Sequence, residues 1–152
     1  MSAQSHYRGP GWFTRRVSNR IVAGLIRAGL SLKGSRVLEV PGRRSGQPRR
    51  VPVNLLTFEG REYLVAPRGE TEWVRNVRAA GGHLDLLLGR RREHRHAREV
   101  ADDAKVPVLR EYLNRWKAET GRFFDRVGPD STDEEIRAIT HKHPMFLLDP
   151  VE

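Results

Sequence analysis

The chain has 152 residues, no cysteine and a formal net charge of +9. Its length suits one domain with one hydrophobic core, and the missing cysteines exclude disulfides, thiolate metal sites and cysteine nucleophiles. No apolar stretch reaches the ~20 residues of a membrane-spanning helix. The opening MSAQSHYRGPG lacks the apolar segment of a signal peptide, so the expected location is the cytoplasm.

The basic residues are overwhelmingly arginine, since only Lys33, Lys105, Lys117 and Lys142 are lysines. Such an excess implies attraction to anionic partners: a phosphate cofactor, nucleic acid or a membrane surface. Residues 1–10 carry no periodic pattern and read as a flexible start; 11–152 read as a single domain. Over 11–30, Trp12, Phe13, Val17, Ile21, Leu25 and Ile26 recur at helical spacing, with Arg15, Arg16, Asn19, Arg20 and Arg27 largely off that face. A basic amphipathic helix of this kind packs on its domain or lies on an anionic membrane, so peripheral contact at the inner membrane face is the alternative location.

Three strands follow, over 35–41, 49–58 and 61–67, the last two joined by the hairpin turn Glu59-Gly60-Arg61. Pro52 lacks a ladder donor and predicts an edge or a bulge there. The first two strands flank Gly42-Arg43-Arg44-Ser45-Gly46-Gln47, a turn that continues through Arg49 and Arg50. Four guanidiniums and a hydroxyl in so short a stretch suit phosphate or carboxylate groups, because each arginine presents a planar fork of donors.

Residues 71–80 read as a short helix with Thr71 as N-cap and Gly81-Gly82 as its stop. The segment Val65 to Gly82 thus runs from a strand through a polar turn containing Gly69 into a helix start, where backbone N–H groups favour a phosphate. Leu84–Leu88 and 94–100 form a second hairpin around Gly89-Arg90-Arg91-Arg92. A long helix spans 102–120, with Val106, Leu109, Leu113 and Trp116 on one stripe. A shorter one over 131–139 starts at Ser131-Thr132-Asp133-Glu134, and the last strand is 145–148. This order predicts an antiparallel α+β barrel rather than a parallel α/β sheet.

No serine sits in a nucleophile elbow, and Ser45 has no nearby histidine or acid. His94-x-His96 and His141-x-His143 each place two imidazoles on one strand face, but no carboxylate accompanies them at ligand spacing and arginines crowd the first pair. No metal is therefore expected.

The turn P-G-R-R-S-G-Q-P-R, the block A-P-R-G-E-T-E-W-V-R-N-V, the strand Ala97-Arg98-Glu99-Val100 and the closing His143-Pro144-Met145-Phe146-Leu147-Leu148 occur in order and at preserved spacing. Together they resemble the deazaflavin-dependent nitroreductases, small actinobacterial proteins also described as deazaflavin-dependent quinone reductases. The likeness covers roughly residues 10–149.

The resemblance implies a split β-barrel, an antiparallel Greek-key barrel with flanking helices, related to the flavin-mononucleotide-binding oxidases. It implies coenzyme F420 as cofactor, a deazaflavin with a phosphate and a poly-γ-glutamate tail. Arg43, Arg44, Ser45 and Gly46 match the family turn that meets tail and phosphate; Ala66, Pro67, Arg68 and Gly69 match the loop beside phosphate and ring. Trp73 and Asn76 match the W-x-x-N lining the deazaflavin pocket, and charge alone adds Arg49 and Arg50 to the same groove.

The implied activity is hydride transfer from the reduced cofactor to a small-molecule acceptor: a quinone, nitroaromatic or activated enone. No protein residue is then expected to be catalytic, because the cofactor carries the hydride. Nitroreducing relatives carry tyrosines before the last strand, where this chain has Glu134, Glu135, Ile136 and Ile139, so its substrate wall must differ. Tyr112, Trp116, Phe123 and Phe124 are the aromatic candidates for that wall. Two alternatives stand beside this reading: the same fold binding FMN or acting as a cofactor carrier, and a basic nucleic-acid-binding module using Arg43–Arg50 and Arg90–Arg98. The second is disfavoured because Trp12, Trp73 and Trp116 lie apart from both arginine clusters, so no nucleic-acid partner is expected.

Overall fold

The computed structural model describes residues 34–120 and 123–149. The amphipathic stretch expected over 11–30 lies outside them. Six antiparallel strands close a barrel in the order β1-β2-β3-β6-β5-β4. Their spans are β1 Ser35–Pro41, β2 Pro48–Phe58, β3 Arg61–Val65, β4 His83–Leu88, β5 Arg91–Glu99 and β6 Met145–Leu148.

Two strands change partners along their length, and this splits the barrel into two sheets. Residues 48–54 of β2 pair with β1, whereas Leu55–Phe58 pair with β3. Likewise 91–96 of β5 pair with β4, and Ala97–Glu99 pair with β6. Pro52, opposite Val37, falls in the part of β2 that has β1 on one side and no described strand on the other. An edge there tolerates the missing N–H, as the sequence predicts.

Alternation along the strands builds two cores. Leu38, Val40, Leu55, Leu64, Leu84, Leu86, Ala97, Phe146 and Leu148 point into the barrel. Helix α1, Glu72–Ala79, closes over them with Trp73, Val74 and Val77. Leu56, Tyr63, Val65 and Met145 point the other way, onto α2 (Val106–Thr120) and α3 (Asp133–Arg137). The stripe Val106, Leu109, Leu113 and Trp116 is buried in this second core, and α3 starts with a reciprocal Thr132–Glu135 capping box. No described helix is long and apolar enough to cross a membrane.

Several sequence expectations are refined, among them the helix expected over 102–120, which begins as a separate 3-10 turn, Asp102–Ala104, ahead of α2. β3 ends at Val65 rather than 67: Ala66 N–H still bonds to the carbonyl of Pro144 opposite it, but proline has no N–H to return, so the ladder stops there. β5 begins at Arg91, so the hairpin turn is tighter than the weak alternation indicated. His141 lies within a short 3-10 helix, Thr140–Lys142, and His143 caps its end, instead of the two sharing a strand face; His141 is exposed and His143 buried.

The turns between strands divide into strained and crowded positions. Glu59 and Gly60 both have positive φ, 52° and 76°, the pair that a two-residue hairpin of the right twist requires. Gly82 has φ +88°, and a Cβ there would lie 2.2 Å from the carbonyl oxygen of Ala97. A Cβ on Gly60 would meet no atom within 4 Å. Gly60→Ala should therefore cost only the left-handed penalty of about 1–2 kcal/mol, while Gly82→Ala should cost clearly more, since backbone must move. Urea midpoints at unchanged m-value check this; equal losses would contradict it.

Candidate functional site

The Gly42–Gln47 turn is self-closed: Gly42 N–H reaches the carbonyl of Gln47 at 2.8 Å, and Gly46 N–H that of Gly42 at 2.8 Å. The Ser45 hydroxyl accepts from Gln47 N–H at 3.1 Å. Gly46 has φ +75°, a conformation glycine adopts without penalty. At Gly42 a Cβ would stand 3.2 Å from Nε of Arg49, so the missing side chain makes room for that guanidinium.

Arg43 leaves this turn and docks on the start of α1. Its guanidinium grips the Glu72 carboxylate with two bonds, Nη1 to Oε1 at 2.9 Å and Nη2 to Oε2 at 3.1 Å. Asn76 Oδ1 accepts from both Arg43 N–H and Arg43 Nη1, each at 3.0 Å. Asn76 is buried, and a buried amide oxygen taking two donors fixes the turn against the helix. The bonds from Glu72 raise the Arg43 pKa beyond its already high value.

The facing loop, Ala66 to Thr71, is held from behind. Ala66 N–H donates to the carbonyl of Pro144 at 2.9 Å, and His143 Nδ1 lies 3.2 Å from the carbonyl of Ala66. Gly69, φ +85°, passes so close to the carbonyl of Lys142 that a Cβ would sit 3.2 Å from it. The buried Lys105 ammonium pins this backing segment: it donates to the carbonyls of Thr140 at 3.0 Å and His143 at 3.1 Å, and pairs with Asp102 at 2.7 Å.

Thr71 occupies the N-cap position, but its side chain makes no capping bond, and Oγ1 is buried without a partner. First-turn N–H groups of a helix lack helical acceptors, so this end retains donors for an anion. The turn, the glycine approach and the orphaned hydroxyl fit a phosphorylated ligand. Two surface depressions elsewhere, one lined by Arg50 and Arg90–Arg92 and one by Phe58, Arg110 and Arg137, touch neither bend.

The structure thus joins Arg43, Ser45, Gly46, Ala66, Pro67, Gly69 and Asn76 on two linked bends. Among the described residues Arg44, exposed, and Arg49, half-buried, have no acidic partner. Arg50 faces the other side of β2 and pairs with Glu39 at 2.7 Å. Trp73 is a core residue, its ring 5.9 Å from that of Phe146. Tyr112, Trp116 and Phe124 are also buried in the core. Of the four wall candidates only Phe123 reaches the surface, with the Arg68 guanidinium 4.6 Å from its ring centroid. Sequence reasoning missed Glu72, Lys105 and His143. Their contacts with Arg43, with the carbonyl of His143 and with that of Ala66 span 29 to 77 positions along the chain, beyond any local pattern.

Comparison with known proteins places the chain in a family. The profile of the F420H(2)-dependent quinone reductases matches residues 12–128. The chain belongs to the F420H(2)-dependent quinone reductase family. It is accordingly an oxidoreductase that reduces a quinone with hydride from reduced F420. A search of curated proteins finds no significant match.

Solved structures confirm the family's split barrel. A domain-swapped dimer shares 19% identity at TM-score 0.53, covering 93% of this chain and 100% of its own. The F420-H2-dependent reductase FDR-A shares 20% at 0.52, covering 77% and 95%. A candidate pyridoxamine 5'-phosphate oxidase from Listeria innocua shares 13% at 0.50, covering 78% and 85%. Identities this low establish the fold alone.

Burial holds the His143 pKa below its ordinary value, only partly offset by its bond to Ala66. Below about pH 6.5 the unfolded chain takes up this proton before the folded one, so the stability it supplies is complete above that pH and declines as pH falls. His143→Gln should flatten the acid side of the curve of urea midpoint against pH. Parallel curves for the two proteins would contradict the assignment.

Proposed function

We propose that the Gly42–Gln47 turn and the Ala66–Asn76 segment jointly receive the phosphate and glutamate tail of F420, and that an acceptor quinone meets the ring beside Phe123. The observation that supports this most is the Arg43 clamp. It holds two anion-suited bends within hydrogen-bond reach of each other, as one extended polyanion requires.

Arg43 itself is engaged, so reception of charge falls to its neighbours. Arg44 and Arg49 offer planar forks to carboxylate and phosphate oxygens. The Ser45 hydroxyl, already accepting from Gln47, keeps its own hydrogen to donate. The first turn of α1 supplies backbone donors, with Thr71 Oγ1 as an unspent hydroxyl. Glu72 would repel a phosphate at this helix end, and Arg43 neutralises it. Arg50 drops out of the groove because it points to the opposite sheet face.

When bound, the deazaflavin supplies the hydride. The chain's part is to orient the acceptor and exclude water. Phe123 and Arg68 present a flat aromatic face capped by a cation, suited to a planar electrophile that becomes anionic on reduction. Tyr112, Trp116 and Phe124 stiffen that wall from within. Nitroaromatics and activated enones share this planarity and electrophilicity and rank behind quinones.

The test is a fluorescence titration with oxidised F420 of long and short glutamate tails. Arg44→Glu and Arg49→Glu should each weaken the long-tailed cofactor by roughly tenfold and the short-tailed one less. Equal losses for both tails would remove these arginines from the tail. No binding at tens of micromolar would overturn the site.

A further inference from the structure

From the outer face of the β4–β5 hairpin we infer a binding site for a borderline first-row dication (Zn2+, Ni2+ or Cu2+) held by His83 and His94. The cofactor site makes no use of these residues. His83 and Asp85 alternate onto one face of β4, while His94 and His96 do so on β5. The register sets His83 opposite His96 and Asp85 opposite His94.

In this grid Nδ1 of His83 lies 3.1 Å from Nε2 of His94, with the rings nearly parallel at 15°. Nδ1 of His94 lies 3.0 Å from Asp85 Oδ1. A carboxylate only accepts, so His94 carries its proton on Nδ1 and presents a lone pair at Nε2. The His83 Nδ1 proton fills the gap between the two rings.

Two metal–imidazole bonds of 2.0–2.1 Å meeting at tetrahedral or square angles separate their nitrogens by about 2.8–3.4 Å. The observed spacing lies inside that window. A dication takes the place of that proton, which moves to Nε2 of His83 as the ring adopts its other neutral tautomer. Asp85 then stands behind His94 as the orienting carboxylate that metal-bound histidines commonly carry. His94 is 64% exposed, which leaves the outer coordination positions to water. His96 stays out of the set, its nitrogens facing Gly81 carbonyl at 2.9 Å and Asp149 at 3.3 Å. No group of three or more ligands converges among the described residues, so this is a two-histidine chelate.

In sequence the adjoining arginines argue against a cation. The structure cancels them. Arg92 is shared between Glu39 and Asp85, each at 2.6 Å, and Arg98 pairs with Asp149 at 3.2 Å. Arg95 points the opposite way and is buried against Glu62 and the carbonyl of Asp149. Soft thiolate-free, imidazole-based sites favour the later first-row ions, whereas Mg2+ and Ca2+ prefer oxygen.

The experiment titrates the tag-free full chain with ZnCl2 and NiCl2 at pH 7.5 by calorimetry, with MgCl2 as comparison and melting temperature as second readout. One ion per chain should bind saturably below ~1 mM. His83→Ala and His94→Ala should each weaken it by tenfold or more, and Asp85→Asn by about tenfold. His141→Ala and His6→Ala should leave both affinity and the ion-induced rise in melting temperature unchanged. Absence of saturable binding, or equal sensitivity to His141→Ala or His6→Ala, overturns the proposal.

Discussion

The functional geometry depends on one side chain, Arg43, and on what accepts from it. Its guanidinium is 20% exposed and the Glu72 carboxylate 16%, so the pair is partly desolvated, and its two parallel bonds fix direction as well as distance. Asn76 adds a third anchor by accepting from the Arg43 backbone and guanidinium at once. Without this set, the turn at one end of the β1–β2 hairpin and the start of α1 would be separate surface features. With it they form one unit.

The same interaction resolves an electrostatic conflict. Glu72 in the first turn favours the helix through its dipole, yet a carboxylate there opposes an incoming phosphate. Arg43 cancels that charge while leaving Arg44 and Arg49 unpaired by acids among the described residues. On the far sheet face the balance differs. Glu39 takes bonds from Arg50 at 2.7 Å and Arg92 at 2.6 Å, which hold its pKa low, and Asp85 shares Arg92. Much of the hairpin's arginine content is thus internally compensated, which weakens the case for a nucleic-acid surface and leaves room for the histidine pair.

The strands, the hairpin at Glu59-Gly60 and the helix over 72–79 were legible because period-two alternation, positive-φ turn residues and a glycine stop are local signals. So were both anion-suited bends. The face of Arg50 was also readable: adjacent strand residues point apart, so Arg49 and Arg50 cannot serve one groove. The Arg43 clamp, the Lys105 tether and the His143 contact with Ala66 join residues 29 to 77 positions apart and leave no pattern in sequence. Thr71 looked like a cap by type, but its hydroxyl is unpaired. The aromatic stripe of α2 reads equally as wall or core, and packing against Leu56, Val65 and Met145 makes it core.

Membership in the F420H(2)-dependent quinone reductases fixes the chemistry, and the clamp supports a particular place for it. Amide chemical-shift mapping of the labelled protein during F420 addition tests that place most directly. The account predicts that residues 42–47 and 66–74 shift together with a single Kd, while Arg90–Arg92 stay fixed. Shifts confined to one bend, or centred on Arg90–Arg92, would contradict it.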